Sequence, residues 1–309
     1  IVFKIQHGFP PIGRLRRMIY DFVPDVVILR ERSVYSMAAY YFCKKKGYPC
    51  ILYNQNPLWS EPEKTDFAHR LVNRFSPKIR MTPVMGEKKP GTSINENDYF
   101  VPFVTDPRRM PWERSYFAED TVHILCIGKY EVRKHHLMLL QAVEKLKDRY
   151  KIHVTLVGEA TNHFQKEYCA KVREYVKEHH MESMAEVKVN VPREKMEREY
   201  LSADLYVIPS TLEMASVSQL EAMSYSLPVI CSDTNGTACY VEEGVTGYRF
   251  QDCNQEDLEE KLDRVLSDRI QMQKMGAAGY QAVVEKYNFE NYFDTVMRMR
   301  GRIVEEQLY

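Results

Sequence analysis

The sequence predicts an α/β protein of two domains, each a parallel sheet covered by helices. Three observations carry this expectation. The chain has 309 residues, more than one small core usually organises. Short apolar runs alternate with helix-length amphipathic segments, and a proline-rich passage separates two such series. With 44% hydrophobic residues, 28% charged residues, 21 Tyr and 13 Phe, there is enough apolar surface to offset the entropy of folding.

In the first domain, Ile12 to Phe22 reads as a helix and Asp25-Val-Val-Ile-Leu29 as a buried strand. A helix from Ser33 to Lys46 and a short strand at Cys50-Ile-Leu-Tyr53 follow, which is the βαβ grammar of parallel pairing. Residues 54–118 carry eight prolines, from Pro57 to Pro111, and read as loops, short elements and a passage to the next domain. The boundary is expected near residue 115, giving a first domain of residues 1–115.

The second domain, residues 116–285, opens with the strand Thr121-Val-His-Ile-Leu-Cys-Ile127, ending at Gly128. His136, Leu139, Leu140, Val143 and Leu146 then place one apolar stripe on a helix. Further strands are expected at Ile152–Val157, Val187–Val189, Leu205–Ile208, Val229–Cys231 and Tyr248–Phe250, separated by helix-length segments. This alternation is Rossmann-like. Periodic helical sequence closes the chain at Gln255–Leu266, Arg269–Tyr287 and Phe289–Glu306, with residues 286–309 expected to return toward the first domain.

Basic and acidic side chains balance at 43 each, so the global footprint of a nucleic-acid binder is absent. The balance conceals an asymmetry. Residues 1–110 hold 18 basic and 10 acidic side chains, and the remainder holds 25 and 33. The first part could therefore face an anionic partner, such as a membrane surface touched peripherally. No apolar run reaches the ~18 residues that span a bilayer, and the opening IVFKIQHGFP lacks the apolar stretch of a signal peptide. The 7 Cys form no CxxC pair. A cytoplasmic location with reduced thiols is the expectation.

Parallel sheets bind ligands at the carboxyl ends of their strands, where loop amides and helix N-termini can hold phosphate. Three such ends stand out. In Gly128-Lys129-Tyr-Glu-Val-Arg133-Lys134 a glycine follows a strand and three cations follow it, so Lys129 and Lys134 could neutralise a diphosphate; ordinary surface charge is the plain alternative. In the second, Glu213 and Glu221 bracket a helix start. Carboxylates there can bind polyol hydroxyls while free helix-start amides approach a phosphate, although a loop acid and a helix-surface acid would look the same. The third, Pro228 to Gly236 followed by Glu243-Gly-Val-Thr-Gly247, offers glycines that suit either close approach or tight turns. GxGxxG, GxxxxGK[ST] and GxSxG are missing from strand-helix junctions, which lowers dehydrogenase, P-loop and hydrolase readings. His135-His136 and His179-His180 show no ligand partner at i+4, so no metal site is expected, and His7 reads as an exposed or satisfied loop histidine.

In their order, IGKYEVRK, VTLVGEA, ADLYVIPSTLEMASVSQLEAMSYSLPVICSD and NGTACYVEEGVTGYRF resemble the retaining GT-B glycosyltransferases of family 4, over about residues 120–250. FVPDVVILRE and YFVPFVTDP resemble that family's later N-terminal-domain strands and interdomain approach. The resemblance implies two Rossmann-like domains facing a cleft, with the first domain lacking its opening strands. It implies transfer of sugar from a UDP-, GDP- or ADP-sugar to a hydroxyl of a saccharide or lipid-linked acceptor, with no required cofactor, in cell-surface glycan synthesis. Glu213 would lie near the donor sugar, Glu221 near the ribose, and Lys134 and Lys129 at the diphosphate after Gly128. Ala215, Ser216 and Val217 would offer amides to phosphate. The chain departs from the family at EMAS, where EGFG is usual, at His135 in place of glycine, and at Cys239 in place of an acid. The substituted glycines and the incomplete first domain motivate one alternative, a noncatalytic sugar-nucleotide-binding or assembly protein; a GT-B sugar-phosphate transferase or epimerase using a similar cleft is a second.

Overall fold

The computed structural model describes residues 11–31, 33–61, 74–114, 116 and 120–308; His7 lies outside them. The chain divides into two compact units, Ile1–Pro102 with Glu290–Tyr309, and Phe103–Phe289. The division falls upstream of residue 115 because the last part of the proline-rich passage, from Phe103, belongs to the second unit. The amides of Thr105, Arg108 and Arg109 donate to carbonyls of Tyr287, Ser224 and Ser224.

The first unit is a four-stranded parallel sheet in the order β1-β2-β3-β4. Its strands are β1 (Val27–Arg30), β2 (Cys50–Tyr53), β3 (Arg80–Thr82) and β4 (Asp98–Phe100). Alternating side chains serve two layers. Leu29 and Cys50 pack with Ala39 and Cys43 of α2 (Val34–Lys46) and with Leu15 and Ile19 of α1 (Ile12–Phe22). Ile51, Ile79, Met81 and Val101 pack with Val296 and Met299 of the last helix, Phe289–Leu308. Beside them, Arg80 is buried and satisfied by Asp98 at 2.5 Å and Asn54 at 3.0 Å.

The second unit is a six-stranded parallel sheet, β10-β9-β8-β5-β6-β7. In chain order these are β5 (Val122–Ile127), β6 (Ile152–Gly158), β7 (Ala185–Val189), β8 (Leu205–Ile208), β9 (Val229–Ser232) and β10 (Gly247–Phe250). The crossovers include α3 (His136–Leu146), α4 (His163–Glu178), α5 (Met196–Ser202) and α6 (Val217–Ser224), with α7 (Gln255–Leu266) and α8 (Arg269–Glu285) after β10; Phe289–Leu308 is α9. All four residues of β8 and of β9 are buried, as helices on both faces require. A continuous core joins Val122, Ile124 and Cys126 of β5 to Leu139 and Val143 of α3, Val172 of α4 and Leu258 of α7. Asn162 and Gln165 close a capping box at the start of α4. Among the described residues no helix is long and apolar enough to cross a membrane.

Candidate functional site: the carboxyl ends of β5 and β8

Strand order places the switch point of the second sheet between β5 and β8, where the chain winds outward in both directions. The crevice beyond such a pair is where open α/β sheets receive ligands. The loop after β5 carries Gly128 to Lys134, and the loop after β8 carries Thr211 to Ser216. The amide of Thr211 donates to the carbonyl of Arg133 at 2.8 Å, so the two loops are joined by backbone.

Lys134 closes a short helical turn, Val132–Lys134, and is 8% exposed. Its stem crosses Gly128, where an added Cβ would stand 3.3 Å from Lys134 Cδ; the glycine makes room for the lysine. Close approach recurs at Gly158, whose added Cβ would lie 2.3 Å from the Gly128 carbonyl oxygen. A buried ammonium needs a partner, and Lys134 Nζ hydrogen-bonds Glu213 Oε2. Arg133 Nη1 reaches the same oxygen at 2.9 Å while its Nε meets Glu131 Oε2 at 2.9 Å. Partial burial opposes the Arg133 charge, but the bonds to Glu213 and Glu131 outweigh it and raise its pKa. One carboxylate oxygen thus holds two cations, a compact region of positive charge suited to a diphosphate once Glu213 turns to another partner. Lys129 is more exposed and pairs with Glu159 at 3.4 Å. The Thr161 hydroxyl, then Lys129, hold the Glu159 carboxyl below its usual range.

The Glu213 loop is anchored through its backbone. Gly236 N donates to Glu213 O at 2.8 Å, and Leu212, at φ 45°, donates to Thr234 Oγ1 at 3.1 Å. Beneath it lies a buried polar set: Gln219 Nε2 donates to Thr237 O at 2.8 Å and Asn235 Nδ2 to Gln219 Oε1 at 2.8 Å. The amide of Ser216 donates to Thr237 Oγ1 at 3.3 Å. The amides of Ala215 and Val217 have no partner among the described residues, leaving donors at and just before the start of α6. Glu221 projects from α6 to a buried phenol, Tyr200, whose hydroxyl donates to Oε2 at 2.7 Å. Burial, with Tyr206 and Glu221 nearby, pushes the Tyr200 pKa up, so the phenol remains a donor. Tyr225 stacks on it, with centroids 5.0 Å apart and planes within 4°.

His136, fully buried behind Lys134, stacks on Tyr130 at 4.9 Å. Its ring nitrogens meet no partner in hydrogen-bonding geometry, and the Gly128 carbonyl is the backbone group that approaches them. Burial and then the Lys134 charge lower its pKa to about 3. It is a neutral core imidazole.

The family model for Glycosyl transferases group 1 matches residues 112–282, more than half of the chain and all of this crevice. The chain belongs to the glycosyl transferases group 1 family. Among its relatives, lipopolysaccharide 1,2-N-acetylglucosaminetransferase of Salmonella typhimurium is 29% identical over 180 residues, 56% of this chain and 46% of that protein. D-inositol 3-phosphate glycosyltransferase of Geodermatophilus obscurus is 24% identical over 248 residues, 78% of this chain and 52% of that protein. The chain spans about half the length of these relatives. Among solved structures, a glycosyltransferase from Rickettsia africae matches with TM-score 0.76 at 15% identity, covering 97% of this chain and 83% of that one. Anabaena HepE in complex with UDP matches with TM-score 0.73 at 11% identity, covering 94% and 82%. At these identities the likeness concerns the fold, which is of the GT-B class.

Within this family fold, Gly128, Lys134 and Glu213 meet at one point, and Ala215, Ser216, Val217 and Glu221 follow along the same loop and helix. Lys129 stands apart on Glu159. Arg133 was not singled out by the sequence reading, although it stands among the three cations of the β5 loop; its contact lies 80 residues away at Glu213.

Proposed function

We propose that the protein is a retaining, family 4 glycosyltransferase whose second unit binds the donor. It moves a sugar from a nucleotide-diphosphate sugar to a hydroxyl acceptor in cell-surface glycan synthesis. The observation that carries the proposal is the Glu213 carboxylate holding both Lys134 and Arg133 at the switch point of the sheet. With donor present, Lys134 and Arg133 exchange Glu213 for the diphosphate, and Lys129 adds charge from the rim. The amides of Ala215 and Val217 complete the anion contacts. Glu213, released, accepts hydrogen bonds from the sugar hydroxyls, and Glu221, held by Tyr200, accepts them from the ribose.

In the reaction the bond from the anomeric carbon to the diphosphate oxygen breaks and the bond to the acceptor oxygen forms on the same face. The acceptor proton passes to the departing phosphate. The cations stabilise charge growing on the leaving group, and neither glutamate serves as a glycosidase acid or base. HepE has been solved with UDP and with UDP-glucose, and the Salmonella relative is a lipopolysaccharide N-acetylglucosaminetransferase. These support uridine donors and a surface-glycan acceptor as the first to try. A cytoplasmic location, with the basic first 110 residues touching an acceptor-bearing membrane, is part of the same proposal.

UDP-, GDP- and ADP-sugars should be offered to the complete protein with saccharide and lipid-linked acceptors, and the product configuration read by NMR. Saturable use of one donor class, release of nucleoside diphosphate and a glycoside of the donor's own configuration are expected. Absence of saturable donor binding, an inverted glycoside, or a rearranged nucleotide sugar without glycoside would each overturn the reading.

A further inference from the structure

Beside the Lys134–Glu213 pair, on its own set of side chains, lies a second constellation. His135 follows Lys134 at the start of α3, while Asp252 and Cys253 come from the loop after β10. One ligand atom from each, the imidazole nitrogen, a carboxylate oxygen and the thiol sulfur, lie within 4.8 Å of one another. Thr211, from the loop after β8, stands among them. Its hydroxyl is 2.9 Å from His135 Nε2, donates to Asp252 Oδ1 at 2.6 Å, and lies 3.2 Å from Cys253 Sγ.

We propose that His135, Asp252 and Cys253 form a binding site for a thiophilic divalent cation of the zinc class. The inference does not rest on glycosyl transfer. Nitrogen, sulfur and oxygen donors in threes, with a fourth position open, are a ligand set that zinc takes readily. The geometry is close to what the ion requires. Bonds of about 2.3 Å to sulfur and about 2.05 Å to nitrogen, at tetrahedral angles, separate the two donors by about 3.6 Å; Cys253 Sγ and His135 Nε2 are 3.7 Å apart. The Asp252 carboxylate, within 4.8 Å of both, can move closer by a side-chain torsion.

The backbone gives a second, independent reason. His135 and Cys253 both have left-handed conformations, φ 50° and φ 56°, which glycine adopts without steric cost and other residues resist. Two positions that favour glycine instead carry an imidazole and a thiol, and the two side chains meet. Asp252 is fixed behind them, its amide bonded to Asp233 Oδ1 at 2.9 Å. Cys253 is exposed, so the ion has an approach from solvent. On binding, the thiol proton is released to solvent as the sulfur–metal bond forms. The Thr211 hydroxyl turns from the centre while keeping Asp252 as its acceptor.

The test uses Co2+ as a spectroscopic probe on the full chain with its thiols kept reduced. Expected are one bound Co2+ per chain, a thiolate-to-cobalt charge-transfer band, visible bands of tetrahedral intensity, and displacement by Zn2+. Cys253→Gly removes the charge-transfer band and His135→Gly weakens Co2+ binding at least tenfold. Glycine suits the backbone at both positions, so both variants keep the fold, and far-ultraviolet circular dichroism checks this. Cys239→Ser, the other exposed thiol, leaves the titration unchanged. A titration without the charge-transfer band, a band that survives Cys253→Gly or is lost in Cys239→Ser, or unaltered affinity in His135→Gly would overturn the site.

Discussion

Glu213 and Glu221 lie eight residues apart but in unlike company. Glu213 sits on a loop and is shared by two cations, one of them buried. Glu221 sits on α6 and is held by a neutral, buried phenol that stacks on a second tyrosine. A carboxylate held by cations competes with any anion those cations could bind. One held by a neutral donor stays in place whatever arrives. On the proposed function, the Glu213 region would rearrange on donor binding and the Glu221 region would remain preorganised.

The largest effect expected around the cationic pole concerns stability. His136 has its pKa lowered to about 3 beside Lys134, against about 6.5 in an unfolded chain. The unfolded state therefore takes up the proton first. The contribution of neutral His136 is intact above about pH 6.5 and is lost as pH falls toward 3. Linkage puts that loss at about 3 kcal/mol between pH 7 and pH 4. Urea unfolding at the two pH values should show the wild type losing that much more than His136→Leu. Equal losses would mean that the region beside Lys134 does not exclude a second charge.

Next in size, Lys134→Met should reduce kcat/KM for donor roughly 100-fold, about 2.7 kcal/mol of lost charge stabilisation. Arg133 would remain on Glu213 and limit the structural damage. A change below threefold would move the diphosphate elsewhere. On the other side of the comparison, Tyr200→Phe should weaken donor affinity about three- to tenfold with kcat little changed, since one neutral hydrogen bond is worth about 1 kcal/mol. Isothermal titration measures this, and a change confined to kcat would contradict preorganisation at Glu221. Lys129→Ala should be the mildest, within about 0.5 kcal/mol of wild type in stability and roughly twofold in donor affinity, because its pair with Glu159 is an exposed one.

These contrasts were legible in the sequence to different depths. Ile124 to Ile127 and Leu205 to Ile208 announce β5 and β8 by unbroken apolar runs, and with them the switch point that brings Gly128, Lys134 and Glu213 together. The strands Arg80–Thr82 and Asp98–Phe100 did not announce themselves. Each has three residues among prolines, and their charges, Arg80 and Asp98, are buried against one another, which a hydrophobicity pattern reads as loop. Arg133 remained one cation of three because its pairing depends on a loop 80 residues away. The amides of Ala215, Ser216 and Val217 looked equivalent, yet Thr237 engages that of Ser216. The sequence offers His135 no ligand one helical turn away, whereas Cys253 reaches it from 118 residues along the chain.

Glu213→Gln addresses the central claim most directly, with nucleoside diphosphate binding measured by titration alongside turnover of the nucleotide sugar. Removing the carboxylate charge frees Lys134 and Arg133, so nucleoside diphosphate should bind as tightly as to wild type or more tightly. Turnover should fall by about 100- to 1,000-fold as the sugar loses its acceptor. Diphosphate binding lost together with turnover, or turnover unchanged, would contradict the exchange of Glu213 between cations and sugar.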